Sequence, residues 1–168
     1  HATPEQKAAW IPGLIAGTDQ CCFGFTEPDA GLNTTRIKTF AEKVPGGYRV
    51  NGRKVWTSTG QVANKIMLLT RTTKFEDVKR QTDGISIFYT DLDRSKIEVQ
   101  RIPKMGRKAV DSNAIFIDYL FIPDEHLIGQ EGRGFSYILD SLNPERVLIA
   151  VEAIGIGDRL LVMREGRI

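Results

Sequence analysis

What this sequence lacks narrows it first. Its 168 residues include only two cysteines, and these are adjacent, Cys21 and Cys22. Neighbouring cysteines make a strained, poor disulfide. No C-x-x-C and no paired His/Cys spacing accompanies them, so neither a disulfide framework nor a metal site is expected. Charge of one sign is missing too: the formal net charge is +2, which gives no argument for a nucleic acid or an anionic membrane surface as partner. The densest basic segment holds Arg94, Lys96, Arg101, Lys104, Arg107 and Lys108. Apolar residues break it up, so it reads as a solvated face. No apolar run approaches the roughly 20 residues that span a bilayer, and the N-terminus does not look like a signal peptide. There is no internal repeat and no low-complexity segment. What is left is an ordinary globular composition, 41% hydrophobic and long enough for one core, with a reducing compartment, the cytoplasm, as the default.

Along the chain the text changes character twice. Residues 3–17 read as a helix, with Thr3 as N-cap, Pro4 in the first helical position and Trp10, Leu14 and Ile15 as an apolar stripe. Pro12-Gly13 inside it predicts a kink or two short pieces. Residues 20–128 are mostly strand. Residues 37–41 form a loose candidate, Pro45-Gly46-Gly47 a turn, and Asn51-Gly52 a hairpin signal ahead of Lys54-Val55-Trp56-Thr57. The run Ile66-Met67-Leu68-Leu69 suits a buried strand; residues 85–89, 97–99, 114–117 and 120–122 read as further strands, and 72–82 as a surface loop. Many short strands between turns argue a mainly β fold, a sandwich or barrel of short antiparallel strands with α-helical segments at both ends. The last part is helical. One helix opens at Gly132-Arg133-Gly134-Phe135 and a second at Asn143-Pro144-Glu145, with Asn143 as N-cap and Glu145 in the first turn.

The stretch around which the chain is organised is Cys22-Phe23-Gly24-Phe25-Thr26-Glu27-Pro28-Asp29-Ala30-Gly31. It reads as a strand running into a tight turn, with Phe23 and Phe25 on one face and the other face left open at Gly24. An aromatic wall, the Thr26 hydroxyl and backbone made approachable by glycine permit a ligand site. An ordinary strand and turn fits the same residues equally well.

Its order among other motifs decides between these. Downstream stand Asn51-Gly52-Arg53-Lys54-Val55-Trp56-Thr57-Ser58, Lys104-Met105-Gly106, an apolar-acidic strand ending at Pro123, the G-x-x-G-x-G-F entry at 129–135, and Glu145-Arg146 opening a helix through Ala150. With the T-E-P-x-A-G turn these are six motifs in order, and over roughly the whole chain they strongly resemble the acyl-CoA dehydrogenase flavoprotein family. The resemblance implies the end of an N-terminal helical domain at 1–18, the middle β domain at 19–128 and the truncated start of a C-terminal helical domain at 129–168, a fragment of a longer protein. It also implies FAD as cofactor, with α,β-dehydrogenation of an acyl-CoA thioester to the trans-2-enoyl-CoA as the reaction. The implied partners are acyl-CoA, an electron acceptor such as an electron-transfer flavoprotein, and further copies in a homodimer or homotetramer. The compartment would be the cytoplasm, or the mitochondrial matrix in a eukaryote.

Carried over by position, Phe23, Phe25, Thr26, Gly31 and Leu32 would lie against the flavin, and Trp56, Thr57 and Ser58 would supply the second wall. Leu32, Asn143 and Arg146 match positions that meet the substrate, and Glu145 matches the catalytic base of a minority of members. Plain alternatives stand beside these: a core tryptophan for Trp56, a helix cap for Asn143, a dipole partner for Glu145 and a packing arginine for Arg146. The chain departs from the family pattern where Leu32 replaces a serine, Ser58 a threonine, and Val110 a serine. An acyl-CoA oxidase, a flavin monooxygenase relative or a non-catalytic binding module are the alternative functions.

Overall fold

The structure is a computed structural model and describes residues 1–164, with α2 side chains described through residue 157. The first helix, α1 (Pro4–Ala16), starts on a complete capping box: the Thr3 hydroxyl accepts from the Gln6 N–H, and the Gln6 side chain accepts from the Thr3 N–H. Gly17 closes it in the left-handed conformation at φ 73°. The helix runs through Pro12 without dividing, contrary to the expected break. The turn after it folds back, with Asp19 N–H and the Thr18 hydroxyl both donating to the Gly13 carbonyl at 3.1 and 3.2 Å.

Seven strands follow: β1 (Cys21–Gly24), β2 (Phe40–Val44), β3 (Gly47–Ser58), β4 (Lys65–Arg71), β5 (Ile85–Asp91), β6 (Ile97–Arg101) and β7 (Ser112–Pro123). They form one sheet in the order β1-β4-β2-β3-β7-β6, with β5 on the other edge of β4. β1 and β2 occupy the same edge of β4 in succession, β1 beside Lys65–Leu68 and β2 at Arg71, and both of these pairings are parallel. All other pairings are antiparallel. The sheet curls so that Cys22, Ile66, Leu68 and Phe88 pack against Val50, Ile97, Ile115, Ile117 and Ile122 in one core. Each such fully buried side chain contributes about 1.5–3 kcal/mol through surface removed from water. The mainly β class with a helix at each end is therefore what the chain adopts.

Two strand expectations change. Asn51-Gly52 is not a hairpin turn: the hairpin is at Pro45-Gly46, where Val44 pairs with Gly47, and Asn51-Gly52 continues β3. The reason lies across the ladder. From Val50↔Leu120 to Gly52↔Ile117, β7 spends one residue more than β3, so the bulge belongs to β7 at Tyr119, φ 51°. The Asn51 side chain accepts from the Tyr119 N–H at 2.9 Å. Because the bulge absorbs the irregularity, residues 114–117 and 120–122 are one strand and not two.

The chain divides into two compact units, the first His1–Phe135 and the second beginning at Ser136. The helix α2 (Gly134–Arg164) is continuous through Pro144. Asn143 is thus not an N-cap, and Glu145 stands in mid-helix, away from any N-terminal dipole. One proline in a long helix removes a single hydrogen bond, to the carbonyl four residues back, which a long run of remaining bonds tolerates.

Candidate active site

The strand β1 ends at Gly24 and leads into the turn at 27–31, closed by Ala30 and Gly31 N–H groups donating to the Glu27 carbonyl at 3.2 and 3.3 Å. Phe23 and Phe25 lie on one face with their rings stacked, 5.3 Å between centroids and 13° between planes. Phe23 is 54% exposed. The opposite face is not open at Gly24. It is buried, and a Cβ there would stand 2.9 Å from Leu68 Cδ1 and 3.1 Å from Ile66 Cδ1, so glycine makes room for the core.

The second wall is made by a bulge. From Lys54↔Ile115 to Thr57↔Asn113, β3 spends one residue more than β7, and Trp56 sits at φ 61°. A bulky residue in that region is an outlier that its surroundings must enforce, at about 1–2 kcal/mol. The extra residue flips the strand's parity. Lys54 and Thr57 point inward, each 1% exposed, while Trp56 is 61% exposed and Ser58 is exposed beside it. The Thr57 hydroxyl is therefore not at the wall: it is buried with no hydrogen-bond partner. Its carbonyl accepts from buried Asn113 Nδ2 at 2.9 Å.

The two stretches meet directly. The Val55 N–H donates to the Thr26 carbonyl at 2.9 Å, joining the residue before Trp56 to the residue after Phe25. Behind this contact lies a feature the sequence reading missed. Lys54 Nζ donates to Glu27 Oε1 at 2.8 Å, to the Leu69 carbonyl at 2.5 Å and to the Phe25 carbonyl at 3.4 Å. Glu27 accepts in addition from the backbone N–H groups of Lys38 at 2.6 Å and Thr39 at 3.0 Å. Burial pushes the Lys54 ammonium down to about 8, while Glu27 opposes this; the lysine is still charged at neutral pH. For the Glu27 carboxyl, burial pulls upward, but Lys54 and the Lys38 N–H outweigh it and hold it below its ordinary value. The sequence carries both charges, Glu27 in the turn after β1 and Lys54 within β3, but alternation alone does not pair them.

Gly31 and Leu32 sit on the exposed turn, Leu32 wholly in solvent, so no side-chain hydrogen bond is available there. In the second unit Asn143, Glu145 and Arg146 are exposed on α2, and Arg146 Nη1 donates to Asn143 Oδ1 at 3.2 Å. The basic segment lines an open cavity of about 480 Å³ through Arg101, Ile102, Pro103, Lys104 and Lys108. A groove of about 400 Å³ beside Phe23 is lined by Trp10, Leu14, Cys21, Met67 and Tyr89. The cysteines are buried or half-buried thiols, pushed up by burial to about 11 for Cys21 and about 12 for Cys22, which keeps both unreactive. No helix among the described residues is long and apolar enough to cross a membrane.

Residues 22–120 match the model of the acyl-CoA dehydrogenase middle domain. The chain belongs to the acyl-CoA dehydrogenase family. It is 31% identical over 157 residues to the mitochondrial 2-methylacyl-CoA dehydrogenase of Solanum tuberosum, which covers 93% of this chain and 37% of that relative. The crystal structure of an acyl-CoA dehydrogenase from Geobacillus kaustophilus superimposes with a TM-score of 0.83 at 31% identity, over 89% of this chain and 39% of that one. The FAD complex of PigA matches at 0.76 and 26% identity, over 83% and 36%. The chain thus spans well under half of the relatives it matches. The relatives named dehydrogenases are oxidoreductases.

Proposed function

We propose that this chain carries the flavin-facing middle portion of an FAD-dependent acyl-CoA dehydrogenase. One observation carries the reading: Trp56 is held outward in a strained bulge, and the residue before it is hydrogen-bonded to Thr26, which follows the stacked pair of exposed Phe23 and half-buried Phe25. Strain of this kind persists where surroundings over-determine it, and it gathers at functional sites. The residues suit a flat aromatic cofactor. Phe23, Phe25 and Trp56 offer ring faces and apolar area, and the Thr26 and Ser58 hydroxyls make no side-chain hydrogen bond within the described protein, so they are free for the cofactor's polar edge. Gly31 and Leu32 contribute backbone only, and Thr57 contributes through its neighbours, its own hydroxyl being inside.

FAD, when bound, supplies the hydride acceptor for oxidation of an acyl-CoA thioester to the trans-2-enoyl-CoA. Glu145 is the carboxylate assigned to the α proton, with Asn143, Arg146 and the Leu32 backbone toward the substrate. The domain limits proposed are 1–18, 19–128 and 129–168. An electron-transfer flavoprotein as acceptor, a homodimer or homotetramer, and a cytoplasmic or mitochondrial-matrix setting belong to the same reading. Support comes from the relatives' names and from the match to the FAD complex of PigA.

The test is an equilibrium titration of the purified chain with FAD, followed by absorbance. Weak binding with a perturbed flavin spectrum is expected, lost in Trp56→Ala. Equal FAD affinity in Trp56→Ala, or none in the parent, would sink the assignment of this wall. The isolated chain is expected to form no enoyl-CoA. Turnover would show that nothing beyond these residues is needed.

A further inference from the structure

The Glu27–Lys54 pair stands behind the proposed flavin wall, with its side chains 4% and 0% exposed, so neither touches a ligand. Its bonds span four parts of the unit: the Phe25–Glu27 strand end, the Lys38–Thr39 approach to β2, β3 at Lys54 and β4 at Leu69. The three ammonium hydrogens match three acceptors, and each carboxylate oxygen receives at least one donor, so the network is fully satisfied. A buried ion pair adds little net stability over apolar side chains of the same volume. What it adds is geometry, because a satisfied polar network admits one arrangement where an apolar contact admits sliding. Lys54 lies two positions before Trp56, and Glu27 follows Thr26 directly.

We propose that Glu27 and Lys54 form a positioning pair that locks the Phe25–Thr26 strand end to the Trp56 bulge and thereby sets the spacing between the two aromatic walls. The consequence for FAD rests on the flavin reading above; the locking of Trp56 does not.

The experiment uses the chain with Trp10→Phe, which leaves Trp56 as its one tryptophan. Emission maximum and anisotropy of Trp56 are recorded without ligand, and then FAD is titrated by quenching. Glu27→Gln/Lys54→Met, which keeps the volume and removes both charges, is compared with Glu27→Asp, which keeps both charges and shortens one arm. Cooperative thermal unfolding confirms that each is folded. The expected result is a folded double variant with lower Trp56 anisotropy, shifted emission and FAD affinity weaker by about tenfold or more, as for loss of other supporting contacts. Glu27→Asp should fall between it and the parent. Folded variants with the parent's Trp56 signal would overturn the proposal, whatever FAD does. Failure of both variants to fold would also overturn it, making the pair a requirement of folding. A parent that binds no FAD defeats the flavin reading alone, and the Trp56 signal still decides the positioning role.

Discussion

Breaking the Glu27–Lys54 pair from one side should cost far more than removing it from both. Lys54→Met leaves a carboxylate 3% exposed, held only by the Lys38 and Thr39 N–H groups, and takes a donor from the Leu69 carbonyl. Leaving one buried charge without its partner costs about 3–5 kcal/mol. Glu27→Gln strands the ammonium instead and should cost a similar amount. The double variant strands no charge. It leaves an unmatched backbone N–H and the Leu69 carbonyl, at about 1–3 kcal/mol for each buried unpaired group, and the singles share these losses, which cancel in the comparison. The singles together then exceed the double by about 3 kcal/mol or more, read from urea unfolding of all four proteins at pH 7. The pH profile carries a second signature. In the parent, the Glu27 carboxyl is held below its ordinary 4.5, so its stabilisation is whole above that value and is lost as pH falls through the folded-state value. In Lys54→Met, burial without a counter-charge raises the same carboxyl, so that variant should gain stability relative to the parent as pH drops from 7 toward 5. Additive singles, or a Lys54→Met profile parallel to the parent's between pH 7 and 5, would refute the reasoning.

Two glycines should respond very differently to alanine. At Gly47 a Cβ would run into the backbone carbonyl of Ile122, which cannot yield, so Gly47→Ala should cost at least about 3 kcal/mol in urea unfolding. At Gly24 the obstacles are the ends of the Leu68 and Ile66 side chains, and Gly24→Ala should cost about 1 kcal/mol in the same assay. Gln6 caps α1 and also donates to the Glu125 and Leu127 carbonyls at 2.7 and 2.8 Å, so Gln6→Ala should speed hydrogen exchange throughout α1 and lower stability by about 1–3 kcal/mol. His126 is held below its ordinary 6.5, by burial first, with Lys65 adding to this and Glu125 and Asp91 opposing it. Its neutral ring shares a 2.9 Å hydrogen bond with Thr90 and packs edge-on to Trp10. The folded state therefore binds the proton less readily, and stability should fall as pH drops below 6.5 toward the folded-state value. Thermal unfolding between pH 7 and 5 should show that slope, reduced in His126→Asn.

Much of the site's content was legible in the text, and its arrangement was not. The capping box at Thr3 and Gln6, the turn at Pro45-Gly46 and the buried run in β4 follow local rules that a few adjacent residues satisfy. The break expected at Pro12 and the helix start expected at Asn143 follow the same rules and did not occur, because a long helix absorbs one lost hydrogen bond. Thr57 illustrates the harder case. Strict alternation places it on the face opposite Trp56, and it does lie opposite. Which of the two faces solvent, however, depends on a bulge that exists only because β3 and β7 are paired out of step.

By itself the sequence determined the class, mainly β between helices, while the motif resemblance singled out Phe23, Phe25, Thr26, Trp56 and Ser58 as the proposed flavin wall. Hydrophobic periodicity and turn chemistry act over a few residues, so they can be read locally. Only the tertiary structure decided that Glu27 meets Lys54, that Trp56 is turned outward and Thr57 inward, and that Gly24 is filled by Leu68 and Ile66. Those outcomes depend on register between strands far apart in the chain, and register is settled by packing and hydrogen bonding across the whole sheet.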